Sequence, residues 1–226
     1  MSQLPLPLGH RAALEREDFL VAPGNEEAVA WLDRWPDWPA PALLLHGPAG
    51  CGKSHLAQVF AASSGARVIK GTPDLVLDPP TVLAGVRAVV IDDADRALEA
   101  GVAEGSLFHL YNAAKEAGRH LLLTGRRPVG AWGIRLPDLA SRLNAAPSVA
   151  IGPPDDAVMA AVLIKMFSDR QLRIGTEVIS YLLRHMERSF AAARAVVEAA
   201  DRLSLAERRA ITVPLLRRLL GEPDAL

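Results

Sequence analysis

Residues 47–54 read Gly-Pro-Ala-Gly-Cys-Gly-Lys-Ser, set between the apolar run Ala42–Leu45 and the helical pattern His55–Phe60. No other stretch constrains this chain as much. Gly47, Gly52, Lys53 and Ser54 fill the fixed positions of G-x-x-x-x-G-K-[ST]. Glycines there let backbone N–H groups turn toward a phosphate, and the helix that follows adds its positive N-terminal end. Lys53 has the reach for the outer phosphates, and the Ser54 hydroxyl suits Mg2+. Gly47, Pro48, Ala49, Gly50, Cys51, Gly52, Lys53, Ser54 and His55 are therefore expected to cradle a nucleotide, ADP or ATP.

Such a cradle needs an acid on a neighbouring strand. The apolar run Ala88–Ile91 ends in Asp92 and Asp93. Asp92 is expected to hold Mg2+ together with Ser54, and Asp93 to orient or deprotonate an attacking water.

Composition narrows the setting. Lys and Arg number 25 against 26 Asp and Glu, a formal net charge of −1. This argues against a chain whose main task is an electrostatic grip on nucleic acid. Arg208, Arg209, Arg217 and Arg218 are balanced in part by Glu207, Glu222 and Asp224, which reads as a solvated face. The single cysteine, Cys51, permits no internal disulfide and fits a reducing compartment. No start resembles a secretion signal, and no apolar run is long enough to cross a bilayer. A cytoplasmic protein is expected.

Five β-rich segments alternate with helical patterns: Ala42–His46, Ala66–Lys70, Ala88–Ile91, His120–Thr124 and Val149–Ile151. Helices are expected over Glu26–Trp35, Lys53–Ser63, Gly105–Ala117 and Pro137–Leu143. Strands alternating with helices predict an α/β fold with a five-stranded, mostly parallel sheet. After Gly152-Pro153-Pro154 the pattern changes to four amphipathic helices, Ala157–Arg170, Glu177–His185, Phe190–Ser204 and Pro214–Leu220, with Thr176 and Thr212 as N-caps. The expected organisation is a peptide over 1–10, an α/β base over 11–153 and a small helical lid over 154–226. Trp31, Trp35 and Trp38 read as packing over the sheet edge; Phe60, Phe108, Leu163 and Phe167 read as core. The histidines show no ligand spacing.

These residues resemble the AAA+ class of P-loop NTPases and, within it, the DnaA-related Hda family of replication regulators. Phe19, Leu20 and Val21 with Gly24 and Asn25 are similar to that family's base-contacting box. Leu136–Leu143 is similar to its arginine-finger box, which implies that Arg142 reaches the γ-phosphate of a neighbour's ATP. Gln3, Leu4, Leu6, Pro7 and Leu8 resemble its binding peptide for the DNA polymerase III sliding clamp. In sensor 1 the expected Asn or Asp is replaced, by Arg126 or by Thr124 just upstream. The sensor 2 position falls at or near Ala191, flanked by Arg188 and by Arg194, which is counted among the nucleotide contacts. Asp93 stands where a Glu is common in AAA+ engines. The altered sensors imply at most a weak ATPase.

The resemblance further implies a clamp-docked regulator that promotes hydrolysis of DnaA-bound ATP and so prevents over-initiation of replication. DnaA and the clamp are its implied partners, a homo-oligomer is compatible, and no sequence-specific DNA-binding module follows the lid. A self-contained ATPase, such as a helicase loader or remodeller, and a pure adaptor are the competing readings.

Overall fold

A computed structural model describes residues 20–72, 77–99, 104–207 and 209–221. Its five strands are β1 (Ala42–His46), β2 (Arg67–Lys70), β3 (Ala88–Asp92), β4 (His120–Gly125) and β5 (Ser148–Ala150). They pair in the order β2-β3-β4-β1-β5, every pair parallel. Buried parallel strands must be apolar on both faces. Leu44, Val89, Ile91, Leu121 and Leu123 enter one core, while Leu43, Leu45, Val90 and Leu122 enter the other.

The first core is closed by α3 (Pro79–Leu83), α4 (Ala94–Glu99), α5 (Glu104–Glu116) and α6 (Pro137–Asn144). The second is closed by α1 (Glu26–Asp33) and α2 (Lys53–Ser64). Here Trp38 stacks on Phe60 with centroids 5.6 Å apart, and Trp35 meets the same ring edge-on. The three tryptophans of this region thus pack, as expected. Phe108 departs from its core assignment: it is only partly buried, with a guanidinium over its face.

Helix α1 ends two residues short of the expected Trp35. Two short helices, α3 and α4, escaped the sequence pattern. Asp78 caps α3 by accepting from Thr81 N at 3.2 Å, and two prolines follow in its first turn, where a missing N–H costs nothing. Helix α4 starts directly after Asp93, whose φ of 59° swings the chain from strand to helix within one residue.

Four further helices, α7 (Asp156–Asp169), α8 (Thr176–His185), α9 (Phe190–Glu207) and α10 (Val213–Leu220), bury a separate core around Leu163, Phe167, Leu182 and Val197. Asp155 caps α7, accepting from Val158 N at 2.8 Å. Thr176 is not the cap of α8; Gly175 takes that position, with extended backbone, and Thr176 is the first helical residue. Thr212 does occupy the N-cap of α10, although its hydroxyl makes no capping bond.

Candidate functional site

Three parallel strands end side by side, and their C-terminal ends build the site. Gly47 follows β1 and donates from N to the Gly125 carbonyl at 3.2 Å. A Cβ at Gly47 would lie 2.1 Å from the Ile151 carbonyl oxygen, so glycine alone lets the loop pass this close to the chain beyond β5. Gly50 and Gly52 carry φ of 74° and 103°, left-handed values open to glycine. The loop therefore has the shape of a phosphate cradle. Lys53 is buried at its centre and donates to the carbonyls of Gly47 at 2.7 Å and Pro48 at 2.8 Å. Its charge acts on His46, whose pKa is lowered first by burial and then by Lys53. Pro48 and Ala49 are exposed on the loop, Cys51 is buried under it, and His55 is half-buried in the first turn of α2.

Beside the loop, Asp92 gathers donors. Ser54 Oγ donates to Asp92 Oδ1 at 3.0 Å, and Thr124 Oγ1 donates to the same oxygen at 2.7 Å. Thr124 also accepts from Asp93 N at 2.9 Å. The other oxygen, Oδ2, takes Lys70 Nζ at 2.7 Å, and the same ammonium stands 3.1 Å from Asp93 Oδ2. Burial alone would raise the pKa of Asp92, but the bonds from Lys70, Thr124 and Ser54 outweigh it and hold the carboxyl below its ordinary value. Lys70 is raised in return: its desolvation is more than offset by the two acids. The two acids, expected to hold Mg2+ and to orient a water, are thus bridged by Lys70, a residue the sequence pattern did not point to.

Between the two sensor candidates the structure separates roles. Thr124 is fully buried and bonded to Asp92; Arg126 is exposed, with its backbone N–H donated to Asp95 Oδ2 at 2.6 Å. Asn25 is buried and folds its own loop, accepting from Ala22 N at 2.9 Å and donating to the Leu20 carbonyl at 3.1 Å. That loop presents Leu20 and Val21, both exposed, while Gly24 O accepts from Gly152 N at 2.9 Å. Phe19 and the peptide residues Gln3, Leu4, Leu6, Pro7 and Leu8 lie outside the described residues, as does Arg208.

The start of α9 reaches the cradle. Phe190 N donates to the Gly50 carbonyl at 2.9 Å, and a Cβ at Gly50 would stand 2.5 Å from Ser189 Cβ. A Cβ at Gly52 would meet the Phe190 ring at 3.0 Å. Of the flanking arginines, Arg188 pairs with Asp156 at 2.9 Å, whereas Arg194 is exposed one turn past Phe190. Arg142 belongs to the opposite side of the sheet from α2. Its guanidinium lies 5.1 Å from the Phe108 ring centre and 5.7 Å from that of Tyr111, a cation–π shelf on α5.

Residues 156–220 match the family model "Hda, lid domain". Domain III of the Thermotoga maritima replication initiation protein DnaA superposes with a TM-score of 0.77 at 18% identity, covering 92% of this chain and 95% of that one. AMPPCP-bound DnaA from Aquifex aeolicus gives a TM-score of 0.64 at 20% identity, over 85% of this chain and 68% of that one. The Thermotoga maritima RuvB Holliday junction branch migration motor gives 0.62 at 16% identity, over 80% of this chain and 61% of that one. At such identities the structural likenesses speak for the fold, and the lid match narrows it. The α/β base with its helical lid is an AAA+ fold like that of DnaA, and over residues 156–220 the chain is similar to the Hda lid.

Proposed function

We propose that this chain is a nucleotide-holding AAA+ regulator that docks on the DNA-loaded sliding clamp of DNA polymerase III and promotes hydrolysis of DnaA-bound ATP. The observation that carries the reading is an Hda-type lid whose third helix, α9, begins against the glycines of a P-loop. A nucleotide in that cradle would press on the lid directly, which suits a protein whose ligand sets its shape.

Lys53 and the loop amides would hold the phosphates of ADP or ATP, a reading supported by the AMPPCP-bound state of the similar Aquifex aeolicus DnaA. Ser54 and Asp92 would hold Mg2+, which supplies charge neutralisation to the polyphosphate. Leu20 and Val21, with Phe19, would face the base, and Arg194 the phosphates across the lid. Clamp docking is assigned to Gln3, Leu4, Leu6, Pro7 and Leu8. The domain limits follow: base over 11–153 and lid over 154–226, in a cytoplasmic protein.

Arg142 is assigned to the trans step, because a guanidinium spreads positive charge over several donors. Its aromatic shelf supports this use, since stacking orients the planar group without consuming its N–H donors. The test is hydrolysis of ATP on purified DnaA with clamp-loaded DNA. The wild-type chain stimulates it, and Arg142→Ala loses the stimulation by at least about 10-fold. Equal stimulation by Arg142→Ala refutes the trans role. Robust turnover by the chain alone, lost in Lys53→Ala and Asp93→Asn, would instead mark a self-contained ATPase.

A further inference from the structure

Lys70 ends β2, and the parallel register sets it directly against Asp92 on β3. The next residue fixes the approach: Gly71 N donates to the Asp92 carbonyl at 2.6 Å, and a Cβ there would lie 2.3 Å from the Asp93 carbonyl oxygen. From this anchor the ammonium spans both acids, 2.7 Å from Asp92 Oδ2 and 3.1 Å from Asp93 Oδ2. The remaining oxygen of Asp92 is taken by Ser54 and Thr124. The carboxylate is thus fully engaged by this chain's own donors.

The lysine side chain itself is 58% exposed, so it can leave the acids without opening the core. A divalent cation held by Ser54 and Asp92 needs an Asp92 oxygen, and its charge opposes an ammonium a few ångströms away. The two cations therefore disfavour each other at Asp92.

We propose that Lys70 is a tethered cation competing with Mg2+ for Asp92 and Asp93, so that nucleotide is held with little dependence on Mg2+ and metal-assisted hydrolysis is damped. This rests on the nucleotide reading above. It goes beyond that reading by assigning a positioning role to a residue outside the loop and the acid pair.

The test titrates a fluorescent ADP into the full chain, once with millimolar Mg2+ and once with EDTA, and compares the two Kd values. For the wild type the ratio stays within about 3-fold. For Lys70→Met it grows by at least about 5-fold: Mg2+ no longer displaces an ammonium, and without metal the polyphosphate faces two bare carboxylates. Lys70→Arg, which keeps the charge, restores the wild-type ratio. Lys70→Gln serves as a second neutral variant should Lys70→Met fold poorly.

An unchanged ratio in a folded neutral variant overturns the proposal. So does a loss of ATP affinity relative to ADP with an unchanged ratio, which would make Lys70 a phosphate ligand. A wild type that binds no nucleotide with or without Mg2+ sinks the cradle reading and this proposal with it, an outcome distinct from the other two.

Discussion

Thr124→Val keeps the volume of a fully buried side chain and removes its hydroxyl. That hydroxyl donates to Asp92 Oδ1 at 2.7 Å and accepts from Asp93 N at 2.9 Å. The substitution leaves the Asp93 N–H facing a methyl group, at about 1–3 kcal/mol for an unsatisfied buried donor. Asp92 Oδ1 keeps Ser54 at 3.0 Å, so its loss is one charge-assisted bond of two, about 1–2 kcal/mol. The expected destabilisation is roughly 3 kcal/mol. Thr124→Ser keeps the hydroxyl and deletes one methyl, about 1 kcal/mol. Urea unfolding followed by tryptophan fluorescence suits the question, because all four tryptophans pack with the sheet and none with the α7–α10 core. The serine variant should stand about 2 kcal/mol above the valine variant at equal m-value. In an Asp92→Asn background the valine cost should shrink, since one partner of the lost bond has changed charge. A valine variant within about 0.5 kcal/mol of wild type, or one more stable than serine, would refute the assignment of Thr124 as the junction of β3 and β4.

Gly50→Ala should strain a residue at φ 74° by about 1–2 kcal/mol and push Ser189 away from the loop. Hydrogen exchange at the Phe190 amide should then accelerate at least about 10-fold, and unchanged protection would show that lid and loop are not in contact. Asp92, whose folded pKa is depressed, contributes stability that is present above its unfolded value and lost as pH falls through the folded one. The urea midpoint should therefore drop below about pH 4, and Asp92→Asn should flatten that limb; an equally steep limb in the variant would contradict the shift. Asp155→Ala removes the cap of α7 and should cost the lid about 1 kcal/mol, read as faster exchange at Val158.

What the sequence made legible is what local chemistry dictates. Leu43–Leu45, Val89–Ile91 and Leu121–Leu123 are continuous apolar runs because both faces of a parallel strand are buried, and a run of that kind has few other uses. Gly47 to Ser54 was legible for a similar reason: a Cβ at position 47 would stand 2.1 Å from the Ile151 carbonyl oxygen and position 52 has left-handed backbone, so both call for glycine. Lys70 was not legible. Its meaning depends on β2 lying next to β3, and strand order is decided by packing over the whole sheet. Thr124 could be placed at the end of a strand, but that it is buried against Asp92 while Arg126 is exposed turns on which side chain points inward at that strand's tip. Asp93 reads as a second acid; its left-handed φ, which launches α4 at once, leaves no pattern in the neighbouring residues.

The same glycines serve two neighbours, and this bears on how the site can act. Gly47 is pressed against the backbone beyond β5, while Gly50 and Gly52 are pressed against Ser189 and Phe190 at the head of α9. The loop is therefore held from the sheet on one side and from the lid on the other. Lys53 is satisfied by the loop's own carbonyls, and a phosphate competing for that ammonium would have to turn the carbonyls of Gly47 and Pro48. Gly47 has no room to move toward β5, so displacement of the loop falls on the Gly50 side, where the Gly50 carbonyl is bonded to Phe190 N. Packed elements respond to such a push by shifting as units, since interiors near crystal density compress very little. The lid is the smaller unit, with its own core, so a displacement of the loop on the Gly50 side would be passed to it through Ser189 and Phe190.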